Sequence, residues 1–384
     1  MQAEAFTFVP GETDFSAPSF AAWARDSAEA RSRLNTSGRP RILLGAGSVL
    51  AQGFVRRILE SGHVVAMVDN ARVGQTVAGV RVIGDTDLAG VLESHDDAIG
   101  VLCCSSHGAI THFTRLWGER PQPLTSFLDV MRDWPKPALT GDMLGFVPSF
   151  SDIDNALAAH AEVRPLLRDD LSLRTLDALM LYRLTWDARY LMGISRPEKA
   201  IYFEPDVMPL HDHETFIDGG AFDGDTVRDF VAKTAGRYTH IHAFEIDPVN
   251  IAAFHAGTAG IPRLDLHAMG LWDRPAELGF EHRDDNCSRV SEAAETKVAL
   301  DALDNLDVGV PTLIKMDIEG AELPALEGAR GLISRHKPKL AISIYHRHDD
   351  FITLTRAIRS MRDDYSFSLR HYSEVNFDSV IYCT

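Results

Sequence analysis

The sequence is poor in the features that would tie it to a membrane, to nucleic acid or to an oxidising compartment. It has four cysteines in 384 residues: Cys103, Cys104, Cys287 and Cys383. Two are neighbours and none makes a Cys-x-x-Cys pair. Neither a disulfide framework nor a zinc site is indicated, and reduced thiols are expected. No apolar run approaches the roughly 18–20 residues that a membrane-spanning helix needs. The opening stretch, MQAEAFTFVPGETDF, has no basic segment leading into an apolar core. It does not read as a secretory signal, and the expected location is the cytoplasm. Positive charge is also scarce, with 38 Lys and Arg against 55 Asp and Glu, a net charge of −17. So acidic a surface repels phosphate backbones. No nucleic-acid partner is expected, and a small-molecule, sugar or lipid-linked substrate fits better.

What is present is α/β rhythm, twice over. A chain of this length exceeds one typical core and points to two or three domains. Residues 1–40 form an N-terminal extension, with a helix expected over Ala21–Leu34 and broken by Thr36-Ser37-Gly38-Arg39-Pro40. Residues 41–140 read as a small Rossmann-like α/β domain. A strand from Arg41, a Gly45-Ala46-Gly47 turn, a helix over Val49–Glu60 and a strand over His63–Asp69 make a βαβ unit. Strands at Val80–Ile83 and Ala98–Cys103 follow, with helices near Leu88–Glu93 and Gly108–Trp117. Arg120–Pro137, with four prolines, is expected to close this domain. Residues 141–205 are a helical connector, apolar at spacings of three and four from Leu171 to Leu191.

Residues 206–384 return to strand and helix. Strands are expected at Thr215–Asp218, His240–Glu245, Leu264–Met269, Thr312–Asp317 and Leu340–Tyr345. Two more, Ser366–His371 and Asp378–Cys383, are separated by a turn only, which requires an antiparallel pair. The fold class is therefore α/β: five parallel strands plus an antiparallel hairpin, in the order of a Rossmann-like methyltransferase sheet, preceded by a smaller Rossmann-like domain.

Three motifs fall at strand ends. In Phe216-Ile217-Asp218-Gly219-Gly220-Ala221-Phe222-Asp223-Gly224-Asp225-Thr226, an acid ends a strand, glycines let backbone approach a ligand, and a helix begins. Asp218 can accept from an ammonium, and the helix start favours a carboxylate. Those two groups on one carbon are the amino-acid end of S-adenosylmethionine. Glu245 lies 27 residues after Asp218, at the end of the next strand. That is where an acid takes ribose hydroxyls in dinucleotide folds. In Leu313-Ile314-Lys315-Met316-Asp317-Ile318-Glu319-Gly320-Ala321-Glu322, a strand beside the first one carries Asp317 and Glu319 to the same crevice.

These runs, with Leu300-Asp301-Ala302-Leu303 before the last of them and Glu322-Leu323-Pro324-Ala325-Leu326-Glu327-Gly328-Ala329 completing it, resemble the FkbM-type family of S-adenosylmethionine-dependent methyltransferases. Lys315-Met316-Asp317-Ile318-Glu319-Gly320 reads like the family signature. The resemblance covers about residues 215–345 and implies methyl transfer, generally to a hydroxyl. It places Asp218, Gly220 and Glu245 at the cofactor and Asp317 and Glu319 at the active site. Gly219, Ala221, Phe222, Thr226 and Ile246 complete the expected cofactor contacts, with Trp272, after the third strand, near the adenine. Many members carry a glutamate after the fifth strand. Here Ser343-Ile344-Tyr345-His346 stands in its place, which makes His346 a candidate base beside Asp317, Glu319 and His348. Asp317 and Glu319 with a histidine offer a divalent-metal alternative, but the spacing is not diagnostic and no metal is assigned. The polar loop Asp284-Asp285-Asn286-Cys287-Ser288 reads as solvated.

The N-terminal glycines are weaker. After Gly45-Ala46-Gly47 the next glycine is Gly53, and no Tyr-x-x-x-Lys dyad follows, although Asp69 ends the second strand 22 residues after Gly47. A structural or substrate-recognition domain fits better than an NAD or nucleotide-sugar site. The expectation is thus an S-adenosylmethionine-dependent O-methyltransferase of a small-molecule hydroxyl, such as that of a sugar or glycan. An NAD- or nucleotide-sugar-binding oxidoreductase and a non-catalytic S-adenosylmethionine-binding module are the alternatives. A homo-oligomer is compatible with the sequence.

Overall fold

The computed structural model describes residues 15, 19–26, 37–45, 55, 58–60, 62–104, 107–127, 130, 153–185, 189–281, 289–290, 296–347, 349–373 and 377–384. Gly47, the 284–288 loop and His348 lie outside them. Contacts divide the chain into two compact units. One holds Met1–Ala161, Leu173–Ser195 and Ser373–Phe377; the other holds Glu162–Ser172, Arg196–Tyr372 and Asp378–Thr384. Among the described residues no helix is long and apolar enough to cross a membrane.

The first unit contains β1 (Arg41–Leu44), β2 (Val64–Val68), β3 (Thr76–Val77), β4 (Val80–Ile83), β5 (Ile99–Leu102) and β6 (Leu124–Ser126). They form one sheet in the order β3-β4-β2-β1-β5-β6. All neighbours are parallel except β3 and β4. Strand β6 comes from the proline-rich stretch expected to be a closing segment. Pro123 sits just before this edge strand, where a missing N–H costs no ladder bond, and its carbonyl accepts from Gly100 at 2.9 Å. The four residues of β1 are all buried, as a strand covered on both faces must be. Leu43, Met67, Val82, Ile99 and Val101 pack in one core with Val55 and Ile58. The expected connector holds the helices Ile153–Val163 and Asp170–Thr185.

The second unit contains β7 (Thr215–Gly219), β8 (His240–Phe244), β9 (Leu264–His267), β10 (Gly270–Leu271), β11 (Ala276–Glu281), β12 (Arg289–Val290), β13 (Thr296–Asp301), β14 (Leu313–Met316), β15 (Lys339–Ser343), β16 (Phe367–His371) and β17 (Ser379–Cys383). Seven of these build the main sheet in the order β16-β17-β15-β14-β7-β8-β9. The last five in that order are mutually parallel, while β17 runs antiparallel to both β15 and β16. This is the expected arrangement. A four-stranded sheet, β10-β13-β11-β12, is inserted between β9 and β14 and was not expected. Two of its strands are two residues long, too short for alternation to reveal. Phe216 on β7 anchors the core, with ring centroids 4.7 Å from Phe230 and 5.6 Å from Phe203. Burying each such ring contributes about 1.5–3 kcal/mol.

Candidate active site

Two backbone turns at the carboxyl ends of β7 and β14 meet and define the site. In the first, Gly220 has φ +76°, and a Cβ added there would lie 1.9 Å from the Asp317 carbonyl oxygen. Only glycine lets the two turns approach so closely. The N–H groups of Gly220 and Ala221 both donate to the Phe244 carbonyl at 3.0 Å, tying the turn to the end of β8. Phe222, exposed, has φ +46°, and Gly224 at φ +84° caps the helix Asp225–Lys233. In the second turn Glu319 has φ +56° and Gly320 φ +90°. Left-handed backbone at non-glycine residues costs of order 1–3 kcal/mol and collects at functional sites.

Asp218 and Lys315 occupy matched positions on the neighbouring parallel strands β7 and β14. Register puts their side chains on one face, and both are buried. Lys315 Nζ lies 3.0 Å from Asp218 Oδ1 and donates to the carbonyls of Gly219 (3.0 Å) and Gly220 (2.6 Å). Burial pushes the Asp218 carboxyl up to about 6, although Lys315 pulls against that rise. From sequence, Asp218 was the acceptor for a ligand ammonium; the ammonium it meets in the structure is that of Lys315. The lysine braces the glycine turn from below.

Glu245 is buried at the end of β8 and is nearly saturated. Its Oε1 accepts from the N–H groups of Ile246 (2.9 Å) and Asp247 (2.8 Å), and its Oε2 accepts from Phe222 (2.9 Å). A carboxylate has about four lone-pair sites. One remains, on the oxygen beside the glycine turn, and it suits a single ribose hydroxyl.

Asp317 is the centre of a third group. Its carboxylate accepts from Tyr202 Oη and from Tyr345 Oη (3.2 Å), and His346 Nε2 lies 3.2 Å away. Burial alone would raise its pKa. His346, Lys315 and Tyr202 together outweigh burial and hold the carboxyl well below its usual range. His346 is buried between two acids, with Nδ1 2.9 Å from Glu322 Oε1. Burial would depress it, but Glu322 and Asp317 prevail and hold the imidazolium charged well above the ordinary histidine range. Glu322 also accepts from the Ile318 N–H at 2.8 Å, and Glu319 reaches within 3.8 Å of His346 Nε2.

The structure therefore brings together Asp218, Gly219, Gly220, Ala221, Phe222 and Glu245 around one turn, and Asp317, Glu319 and His346 around the other. Ile246 serves Glu245 through its N–H. Thr226 is buried in the first turn of its helix, its hydroxyl 3.3 Å from Asp225 Oδ1. Trp272 is half-buried and donates its backbone N–H to Asp301 O at 2.8 Å. Lys315, Tyr202, Tyr345 and Glu322 carried no role in the sequence reading. Lys315 had a signal, a lysine inside an apolar strand, which demands a buried partner. Tyr202 had none, since it stands 115 residues before Asp317.

Sheet order and glycine turn are those of the Rossmann-like methyltransferases. Residues 218–369 match the family model described as the Methyltransferase FkbM domain. A solved methyltransferase FkbM from Methylobacillus flagellatus KT is 25% identical with a TM-score of 0.71, covering 97% of this chain and 100% of that one. The likeness to that structure thus takes in the N-terminal unit as well, while the match to the family model is confined to residues 218–369. More distant structures include an rRNA methylase from Streptococcus thermophilus (15% identity, 45% of this chain and 87% of that one, TM-score 0.31). Another is the Aeropyrum pernix fibrillarin in complex with natively bound S-adenosyl-L-methionine (12% identity, 49% and 75%, TM-score 0.31). At such scores neither bears on function here. No curated protein matches the chain.

Proposed function

We propose that this protein is an S-adenosylmethionine-dependent O-methyltransferase acting on a hydroxyl of a small molecule of the sugar or glycan class. The observation that carries the proposal is an ionised carboxylate, Asp317, packed directly against the glycine turn. Gly220 lets that turn sit directly against the Asp317 backbone, and the free lone pair of Glu245 lies along the same turn. These features fit the cofactor. S-adenosylmethionine supplies a methyl group on a sulfonium, already a strong electrophile, so positioning provides much of the acceleration.

The chain's own contribution is to orient the acceptor and take its proton. Asp317 accepts the hydroxyl's hydrogen bond. Its depressed basicity is no obstacle, because a hydroxyl oxygen becomes strongly acidic as its new bond to carbon forms. Both nitrogens of His346, a candidate base from sequence, face carboxylates, and the ring is charged. Its part is to position Asp317, together with Tyr202 and Tyr345. The net charge of −17 argues for an acceptor without a phosphate backbone.

Calorimetry with S-adenosylhomocysteine tests the reading. One equivalent should bind, and Glu245→Ala should abolish binding. Binding of NADH that Asp69→Ala removes, with no S-adenosylhomocysteine bound, overturns it in favour of an oxidoreductase.

A further inference from the structure

A second cluster of donor atoms lies on β8 and β9, apart from the residues assigned above. His240 and His242 alternate on one face of β8, and Asp265 and His267 alternate on β9, with His242 paired to Asp265 in register. Alternation and register place all four side chains on the same face of two adjacent strands. His240 Nε2 lies 2.9 Å from Asp265 Oδ2, and His242 Nδ1 lies 3.9 Å from that same oxygen. His267 Nε2 lies 3.2 Å from His242 Nδ1. One donor atom from each of His240, His242 and Asp265 falls within 4.8 Å of the other two.

We propose that His240, His242 and Asp265 form a binding site for a divalent transition-metal ion of the zinc class. Two imidazoles and a carboxylate suit such ions and are poor ligands for sodium or potassium. Zn–N and Zn–O bonds of about 2.0–2.1 Å in a tetrahedron separate neighbouring donors by roughly 3.3 Å. The two separations from Asp265 Oδ2, 2.9 Å to His240 and 3.9 Å to His242, bracket that edge, and the three donors lie within 4.8 Å of one another. Access is provided as well. The Asp265 side chain is 60% exposed and that of His240 33%, while His242 at 9% forms the floor. The β8–β9 pair is the edge of the main sheet, so a bound ion clips the edge strand to its neighbour. The proposal is independent of the methyl-transfer reading.

The test uses the full chain, freed of metal by a chelator and dialysed, then titrated with Zn²⁺ against a chromophoric competitor. The expected result is one equivalent bound per chain. His240→Ala/His242→Ala should weaken that binding by at least about 100-fold and Asp265→Asn by about tenfold or more; the latter is an exposed change that leaves the fold intact by circular dichroism. Co²⁺ should show the visible bands of a tetrahedral site in the wild type but not in the double variant. His346→Gln should leave the stoichiometry unchanged. Absence of zinc binding, binding unaltered in both variants, or binding abolished by His346→Gln each overturns the proposal, the last by assigning the ion to the Asp317–Glu322–His346 group.

Discussion

The two units solve the same backbone problem and then diverge at their strand ends. In each, a glycine follows the first central strand at nearly the same angle, Gly45 at φ +77° and Gly220 at φ +76°. Each donates its N–H to the last residue of the neighbouring strand, Val68 or Phe244, at 3.0 Å. An acid comes next on that neighbour, Asp69 or Glu245. The strand on the other side is tied back in the same way, by Cys103 N–H to Leu44 O at 2.8 Å and by Asp317 N–H to Gly219 O at 3.1 Å. What fills these positions is opposite in character. A Cβ on Gly45 would meet side chains, Phe113 at 2.8 Å and Cys104 at 2.9 Å, whereas Gly220 faces the bare Asp317 carbonyl. Asp69 accepts one backbone N–H, from Ala71; Glu245 accepts three. Where the second unit has ionised Asp317, the first has buried Cys103, whose thiol burial pushes up. The switch-point geometry is shared by α/β sheets generally. Chemistry depends on which side chains are delivered to it.

That contrast can be broken most directly at the matched pair Asp317 and Cys103. Asp317→Asn is expected to lower kcat for methyl transfer by about 10²–10⁴ while leaving S-adenosylhomocysteine affinity nearly unchanged. Cys103→Ala should leave turnover as it is. Equal losses in a steady-state assay would show that the strand-end acid is not special.

Next in size is the buried pair. Lys315→Met strands the Asp218 carboxylate, and the urea midpoint should report a loss of about 3–5 kcal/mol. Adding Asp218→Asn should restore most of it. A further loss in the double variant would mean that Lys315 acts mainly through the Gly219 and Gly220 carbonyls.

The two glycines provide a smaller, more pointed comparison. Gly220→Ala and Gly45→Ala both incur left-handed strain of order 1–3 kcal/mol. Only Gly220→Ala collides with backbone, so only it should abolish S-adenosylhomocysteine binding in calorimetry.

The smallest effect concerns pH. Burial, with Glu322 beside it, raises the Asp350 carboxyl to about 7. An unfolded carboxyl titrates near 3.9. Between those values the folded chain holds a proton that the unfolded chain releases, so stability falls as pH rises from about 4 to about 7. Asp350→Asn removes this contribution, and its denaturation midpoint should vary less over that window than the wild type's. Buried Cys104 in the first unit, pushed up to about 12, adds nothing there.

Much of this was legible along the chain. Alternating strand and helix, glycines after β1 and β7, and the short link before β17 were enough to order the seven-stranded sheet. Asp218, Glu245 and Asp317 were found because each ends a strand in a recognisable run. In the β10–β13 sheet, β10 and β12 escaped because strands of two residues are too short for periodicity to show. Tyr202 escaped because no local pattern marks a residue that meets its partner only across the fold.

The sequence alone determined the repeated α/β plan, the glycine positions and the acids at the strand ends, because these depend on local periodicity and on backbone angles that few residues tolerate. Only the tertiary structure decided what those acids do. It sank Asp218 beside Lys315, used three lone-pair sites of Glu245 on backbone, and set Asp317 among Tyr202, Tyr345 and His346. The physical reason is that charge state and hydrogen-bond capacity depend on burial and on neighbours brought from distant positions, and no stretch of chain encodes them by itself.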